Sequence, residues 1–239
     1  MRNIKIIIEY DGKNFAGWQI QPGKASIQGE MQRALKDVTG EDIEIIASGR
    51  TDAGVHAYGQ TANFKTNSKV PIQKIPYALN AKLPKSIVVK SAEEVDERFH
   101  SRLNCKRKTY RYIINNSPEG TAIYRYLETH IPRKLNVEKM EKAVKYFIGE
   151  HDFKAFKASG TSSKSSVRTI YDAKVYQNGD KIYIELTGNG FLYNMVRIIA
   201  GTLVEVGLEK IEPEKIEEIK NAGKTLPPNG LYLVDVKYE

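Results

Sequence analysis

Asn178-Gly179-Asp180 sits between two runs that alternate apolar and polar residues, 170–177 and 181–187. A glycine beside Asn or Asp supplies the positive φ that tight hairpin turns require, and a period of two turns one face of each run toward a core. The segment therefore commits the chain to an antiparallel sheet with one buried face, which needs a cover. Helical patterns lie on both sides of it. Asn136 can cap a helix whose Met140, Val144, Phe147 and Ile148 share a face and which ends near Gly149. Leu192, Val196, Ile199, Leu203 and Val206 follow helical spacing. Residues 109–115 and 231–236 read as strands, with a helix expected around Ile216 and Ile219.

The first half uses the same grammar. Residues 4–10 form an Ile-rich strand closed by Asp11-Gly12. Ser26 can cap a helix carrying Ile27, Met31, Leu35 and Val38 on one face, and Gly40 stops it. Strands are expected at 43–47 and 60–65 around the loop 48–59, and another at 87–95. Residues 71–79 read as a short helix that Pro76 kinks or splits. Hairpin-connected strands mixed with amphipathic helices make both halves α+β, with helices on one face of each sheet. No sequence period relates the halves. The boundary falls between Arg98 and Lys108, dividing a domain 1–104 from a domain 105–239, and no low-complexity linker marks it.

Composition limits the classes. The 239 residues are enough for one large domain or two small ones, and mean hydropathy is −0.47. No apolar run approaches the roughly 20 residues of a membrane span. Met1-Arg2-Asn3-Ile4-Lys5 runs straight into the first strand pattern, so no secretory signal is expected. Cys105 is the single cysteine, which excludes an internal disulfide and any multi-cysteine metal site. His56, His100, His130 and His151 show no metal-ligand spacing, and no metal is expected. Neither Gly188-Asn189-Gly190 nor Gly160-Thr161-Ser162 completes a nucleotide-binding fingerprint. These features describe a soluble, cytoplasmic protein.

The net charge is +8, from 37 Lys and Arg against 29 Asp and Glu. Arg98, Arg102, Lys106, Arg107, Lys108 and Arg111 crowd one stretch, with Phe99, Tyr110 and Tyr112 in or beside it. Lys154, Lys157, Lys164 and Arg168 surround a Ser-rich segment. Such clusters make solvated faces; basic residues mixed with aromatics also suit phosphate neutralisation and base stacking.

Gly49-Arg50-Thr51-Asp52-Ala53-Gly54-Val55-His56 is the most unusual segment, an Arg and an Asp bracketed by glycines between two strands. Alone it fits a reactive loop or a structural Asx turn. Five more segments accompany it in order: Tyr10-Asp11-Gly12 through Gly17-Trp18-Gln19, Ala78-Leu79-Asn80-Ala81-Lys82-Leu83-Pro84, Lys108-Thr109-Tyr110-Arg111-Tyr112, Phe191-Leu192-Tyr193-Asn194-Met195-Val196-Arg197, and Gly230-Leu231-Tyr232-Leu233. Together they resemble the bacterial TruA-type tRNA pseudouridine synthases, from Tyr10 to Leu233. Ser101 stands where the family often has Ala, and Leu103 where it often has a bulkier residue.

The resemblance implies two ferredoxin-like, RRM-like subdomains whose mainly antiparallel sheets form a central cleft. It implies isomerisation of uridine to pseudouridine at positions 38–40 of the tRNA anticodon stem-loop, without a cofactor. It also implies a homodimer in which one tRNA touches both subunits. By the same resemblance Asp52 is the catalytic carboxylate. Once ionised, it attacks the sugar carbon or the base, or removes a ribose C2′ proton. Arg197 is the cation that keeps it charged. Tyr110 stacks on the uracil with its hydroxyl near the C5 proton, Arg50 enters the RNA helix when the target leaves, and Leu231 walls the pocket. The basic clusters become RNA-backbone surfaces. The competing readings are a non-catalytic RNA-binding protein with two RRM-like domains, which gives Asp52 no task, and a nucleoside hydrolase that would release free uracil.

Overall fold

Ile4, Ile6, Ile8 and Tyr10 alternate along the first strand, and all four are buried. In the computed structural model, which describes residues 1–160, 165–220 and 222–239, that strand is β1 (Arg2–Tyr10). It is followed by α1 (Ile27–Thr39), β2 (Ile46–Ala47), β3 (His56–Thr66), α2 (Ile75–Asn80) and β4 (Ile87–Val95). β1 lies between β3 and β4, antiparallel to both, and β2 pairs with β3. Ser26 caps α1 by accepting the Gly29 N–H at 3.2 Å, and Gly40 ends it in the left-handed region at φ 75°. Leu35 and Val38 of α1, Phe64 of β3, and Ile75 and Leu79 of α2 line one small void, which locates the core between helices and sheet.

Arg107–Leu231 forms a second unit. It contains β5 (Arg107–Asn115), β6 (Thr129–His130), α3 (Val137–Val144), β7 (Gly149–Asp152), β8 (Val167–Asn178), β9 (Lys181–Gly188) and α4 (Met195–Gly207). The hairpin of β8 and β9 turns through Gly179 at φ 57°, and the antiparallel order continues from β5 through β9 and β8 to β7. Tyr110, Tyr112 and Ile114 stand opposite Leu186, Ile184 and Ile182 on the buried face. Asn136 caps α3 through the Lys139 N–H at 3.1 Å. α4 is apolar on nearly every side, and almost all of it is buried, as an all-round hydrophobic helix must be.

Two local expectations are corrected, and the split at Pro76 is found. Ile43 and Ile45 are buried, but only Ile46 and Ala47 join a ladder, so an apolar run there marks burial rather than a strand. Residues 71–79 become a 3₁₀ turn (Ile72–Lys74) and then α2, with Pro76 in the first helical turn, where its missing N–H costs nothing. Around Ile216 there is a 3₁₀ helix (Pro213–Glu218) that leaves Ile219 outside.

The last strand, β10 (Leu231–Lys237), pairs in parallel with β3, Tyr232 opposite His56 and Leu233 opposite Ala57. Residues Tyr232–Glu239 group with Met1–Lys106. A division at 104/105 that assigns the whole remainder to the second half does not follow this return. A parallel partner leaves no local turn signal, whereas a hairpin does.

Candidate active site

The segment 48–55 joins β2 to β3 and is held from several directions. Trp18 N–H donates to the Thr51 carbonyl at 3.0 Å, Ser48 N–H to Thr61 at 2.8 Å, and Val55 N–H to Asp52 at 3.1 Å. Glycines permit the close approach of the chain beside it. A Cβ on Gly12 would lie 2.0 Å from the Val55 carbonyl oxygen, and one on Gly17, at φ +97°, would lie 2.6 Å from that of Thr51. Side chains complete the hold. The Tyr10 hydroxyl is 2.7 Å from the Thr51 hydroxyl, and Gln60 Nε2 donates to the Gly49 carbonyl at 2.9 Å. Where the segment enters β3, the buried His56 accepts the Gly12 N–H on Nδ1 at 3.1 Å, and its ring stacks on Tyr232 at 4.8 Å. Asp52 is half-buried and Arg50 exposed. The carboxylate is thus presented by a backbone fixed on both sides.

Arg197 lies in the first turn of α4. Its Nε donates to the Leu226 carbonyl and its Nη1 to Asn194 Oδ1, both at 2.7 Å, while Leu226 N–H donates back to the Arg197 carbonyl at 3.2 Å. Asn194 precedes the helix at φ 60°, a left-handed conformation that Asn tolerates better than most residues. Tyr110 is buried in β5, and Phe191 meets its ring edge-on at 5.1 Å. Two positions on, Tyr112 donates to the Pro227 carbonyl at 2.7 Å; burial pushes its pKa well up, and its bond with Thr129 and then the Arg197 charge only partly offset that. Leu231 is buried at the start of β10.

The basic residues are not equivalent. Arg98, Arg102, Lys106, Arg107 and Lys154 are exposed; Lys108, Lys157 and Arg168 are partly covered. Arg107 lies over the Tyr171 ring at 4.8 Å. Arg111 pairs with Glu185 at 2.6 Å, so its charge is already matched locally. The Arg168 guanidinium donates to the Val167 carbonyl at 2.6 Å, and burial lowers its pKa. Lys164 lies outside the described residues. Among the described residues no group of three or more His, Cys, Asp or Glu is arranged to hold a metal ion, and no helix is long and apolar enough to cross a membrane.

Sequence reasoning passed over Tyr10, Thr51 and Gln60 as side chains that serve the loop. The strand pattern over 60–65 does not say which of its polar residues are buried. Only the register that sets Gln60 opposite Ile8 shows it to be buried.

The chain thus combines a mixed α+β fold of mainly antiparallel sheets with a tightly held Gly-Arg-Thr-Asp loop. The family model for tRNA pseudouridine synthase matches residues 6–104 and 143–239, and the chain belongs to that family of isomerases. Three proteins called tRNA pseudouridine synthase A are similar to it over the full length of both chains. They come from Thermoanaerobacter sp. (51% identical), Acetivibrio thermocellus (50%) and Ruminiclostridium cellulolyticum (51%). A solved archaeal box H/ACA Nop10–Cbf5 complex matches at 11% identity with a TM-score of 0.40, covering 97% of this chain and 45% of that one; so loose a likeness carries no argument.

Proposed function

We propose that this chain isomerises uridine to pseudouridine at positions 38–40 of the tRNA anticodon stem-loop, with Asp52 as the catalytic carboxylate. The observation that carries this reading is the match to tRNA pseudouridine synthase A proteins along the whole of both chains. The bond from N1 to C1′ breaks and one from C5 to C1′ forms; C5 loses a proton and N1 gains one, so no redox partner is needed. Asp52 works ionised in a site closed to water. Arg197 supplies the opposing charge, since a nearby guanidinium lowers a carboxylate pKa by about 1–3 units. Tyr110 stacks on the flipped uracil and serves the C5 proton, and Leu231 closes the pocket. Arg50 fills the space the nucleotide leaves, offsetting part of the few kcal/mol that flipping costs. Arg98, Arg102, Lys106, Arg107 and Lys108, with Lys154, Lys157, Lys164 and Arg168, neutralise phosphates, so binding weakens steeply with salt, while Arg111 is left to its pair with Glu185. The enzyme works in the cytoplasm as a homodimer whose two copies share one tRNA.

Tritium release from tRNA carrying [5-³H]uridine tests the reading. Wild-type protein releases tritium and yields pseudouridine, whereas Asp52→Ala binds tRNA and releases none. Free uracil in the digest, or full activity in Asp52→Ala, would refute it.

A further inference from the structure

The loop that carries Asp52 is tied to the sheet by a run of four buried polar side chains. Ser48 Oγ donates to Gln60 Oε1 at 2.8 Å. Gln60 Nε2 donates to the Gly49 carbonyl at 2.9 Å and reaches the Tyr10 hydroxyl at 3.5 Å. That hydroxyl meets Thr51 Oγ1 at 2.7 Å. Gln60 and Ser48 are 0% exposed, Tyr10 3% and Thr51 6%. The chain touches the backbone or side chain of residues 48, 49 and 51, those leading up to Asp52. Burying this much polar surface is costly unless every group is paired, and an apolar filling of the same volume would serve stability as well. What the polar version adds is direction. Gln60 spends its two amide protons on Gly49 and Tyr10, and the Tyr10 and Thr51 hydroxyls share one further bond, so each member restricts the orientation of the next. Burial pushes the Tyr10 pKa up to about 12, so its hydroxyl keeps its proton.

We infer that Tyr10, Thr51 and Gln60 are positioning residues for the isomerisation: they hold the Gly49–Thr51 backbone so that the Asp52 carboxylate is presented in one orientation, without touching substrate. The inference rests on the reading of Asp52 as the catalytic carboxylate. A reaction that needs one carboxylate oxygen at one ribose or base atom is sensitive to displacement on the order of 1 Å, enough to lose about a hundredfold in rate.

The test uses the full-length protein with [5-³H]uridine tRNA, measuring kcat, KM and tRNA affinity beside a thermal melt. Thr51→Val keeps the shape and deletes the hydroxyl; Thr51→Ser keeps the hydroxyl and deletes a methyl. We expect Thr51→Val and Tyr10→Phe to lower kcat roughly tenfold or more per folded molecule, with KM and tRNA affinity within about twofold. Thr51→Ser should recover most of what Thr51→Val loses. Gln60→Glu, which places an acceptor against the Gly49 carbonyl, should lose more still. A fall in melting temperature with kcat unchanged, a change in KM alone, or equal losses in Thr51→Ser and Thr51→Val would overturn the inference. Inactive wild-type protein would instead overturn the underlying function, so the two failures are distinguishable.

Discussion

Asp52 and Arg197 are both held in place, but by different means. The Asp52 segment is irregular and owes its shape to buried side chains reaching in from β1 and β3, with two glycines that let the neighbouring backbone lie against it. Arg197 stands on a buried helix and is fixed by its own fork, one arm on a main-chain carbonyl and one on Asn194, the residue that precedes the helix. A helix supplies its own main-chain hydrogen bonds, so the arginine needs only two further partners, Asn194 beside it and the Leu226 carbonyl 29 positions on. A loop has no such ladder and must draw its partners from elsewhere in the fold. Substitutions among the many partners of the Asp52 loop are therefore expected to disturb its geometry, and those near Arg197 to act through its two bonds.

The largest effects should come from backbone contacts that both regions contain. A Cβ on Gly12 would sit 2.0 Å from the Val55 carbonyl oxygen, and one on Gly201 of α4 would sit 1.8 Å from that of Lys224. Both Gly→Ala changes should cost several kcal/mol in urea unfolding, because neither neighbour is a movable side-chain end. The contrast lies in the residual folded protein. Gly12→Ala should lose kcat as well as stability, and Gly201→Ala mainly stability; equal kcat per folded molecule in the two would break the comparison.

Asn194 offers a middle-sized test. Asn194→Ala removes the partner of Arg197 and strains a backbone at φ 60°, and should cost about 2 kcal/mol in all. Asn194→Gly relieves the strain but not the lost bond. It should recover about half of that stability while leaving turnover as low as in Asn194→Ala, which separates the helix start from the arginine's partner. The smallest effect calibrates the rest. Ser26→Ala, at a helix cap in neither region, should cost about 1 kcal/mol and leave tritium release per folded molecule unchanged.

Much of this was legible in the sequence wherever the signal is local. Asn178-Gly179-Asp180 announces its hairpin, and Ser26, Gly40 and Asn136 mark helix ends where the structure has them. Local signals failed where partners come from afar. Ile43 and Ile45 look like a strand because they are apolar, yet pairing depends on where β3 lies. The burial of Gln60 left no local signal, since its partners are 11 and 50 positions away. The site was read unevenly for the same reason. Asp52 and Arg50 stand in a short, peculiar motif, while the residues that hold that motif are scattered among ordinary strands. What the sequence could not show is which polar residues face inward.

The parallel pairing of β10 with β3 has a consequence for synthesis. β10 pairs beside His56, where the Asp52 loop enters its strand, although it follows that residue by more than 170 positions. A nascent chain that has just completed the first 106 residues still has an unpaired strand edge, and closing it means bringing together segments more than 170 positions apart, a slow step. Maturation of the loop should thus lag behind translation of the residues that compose it.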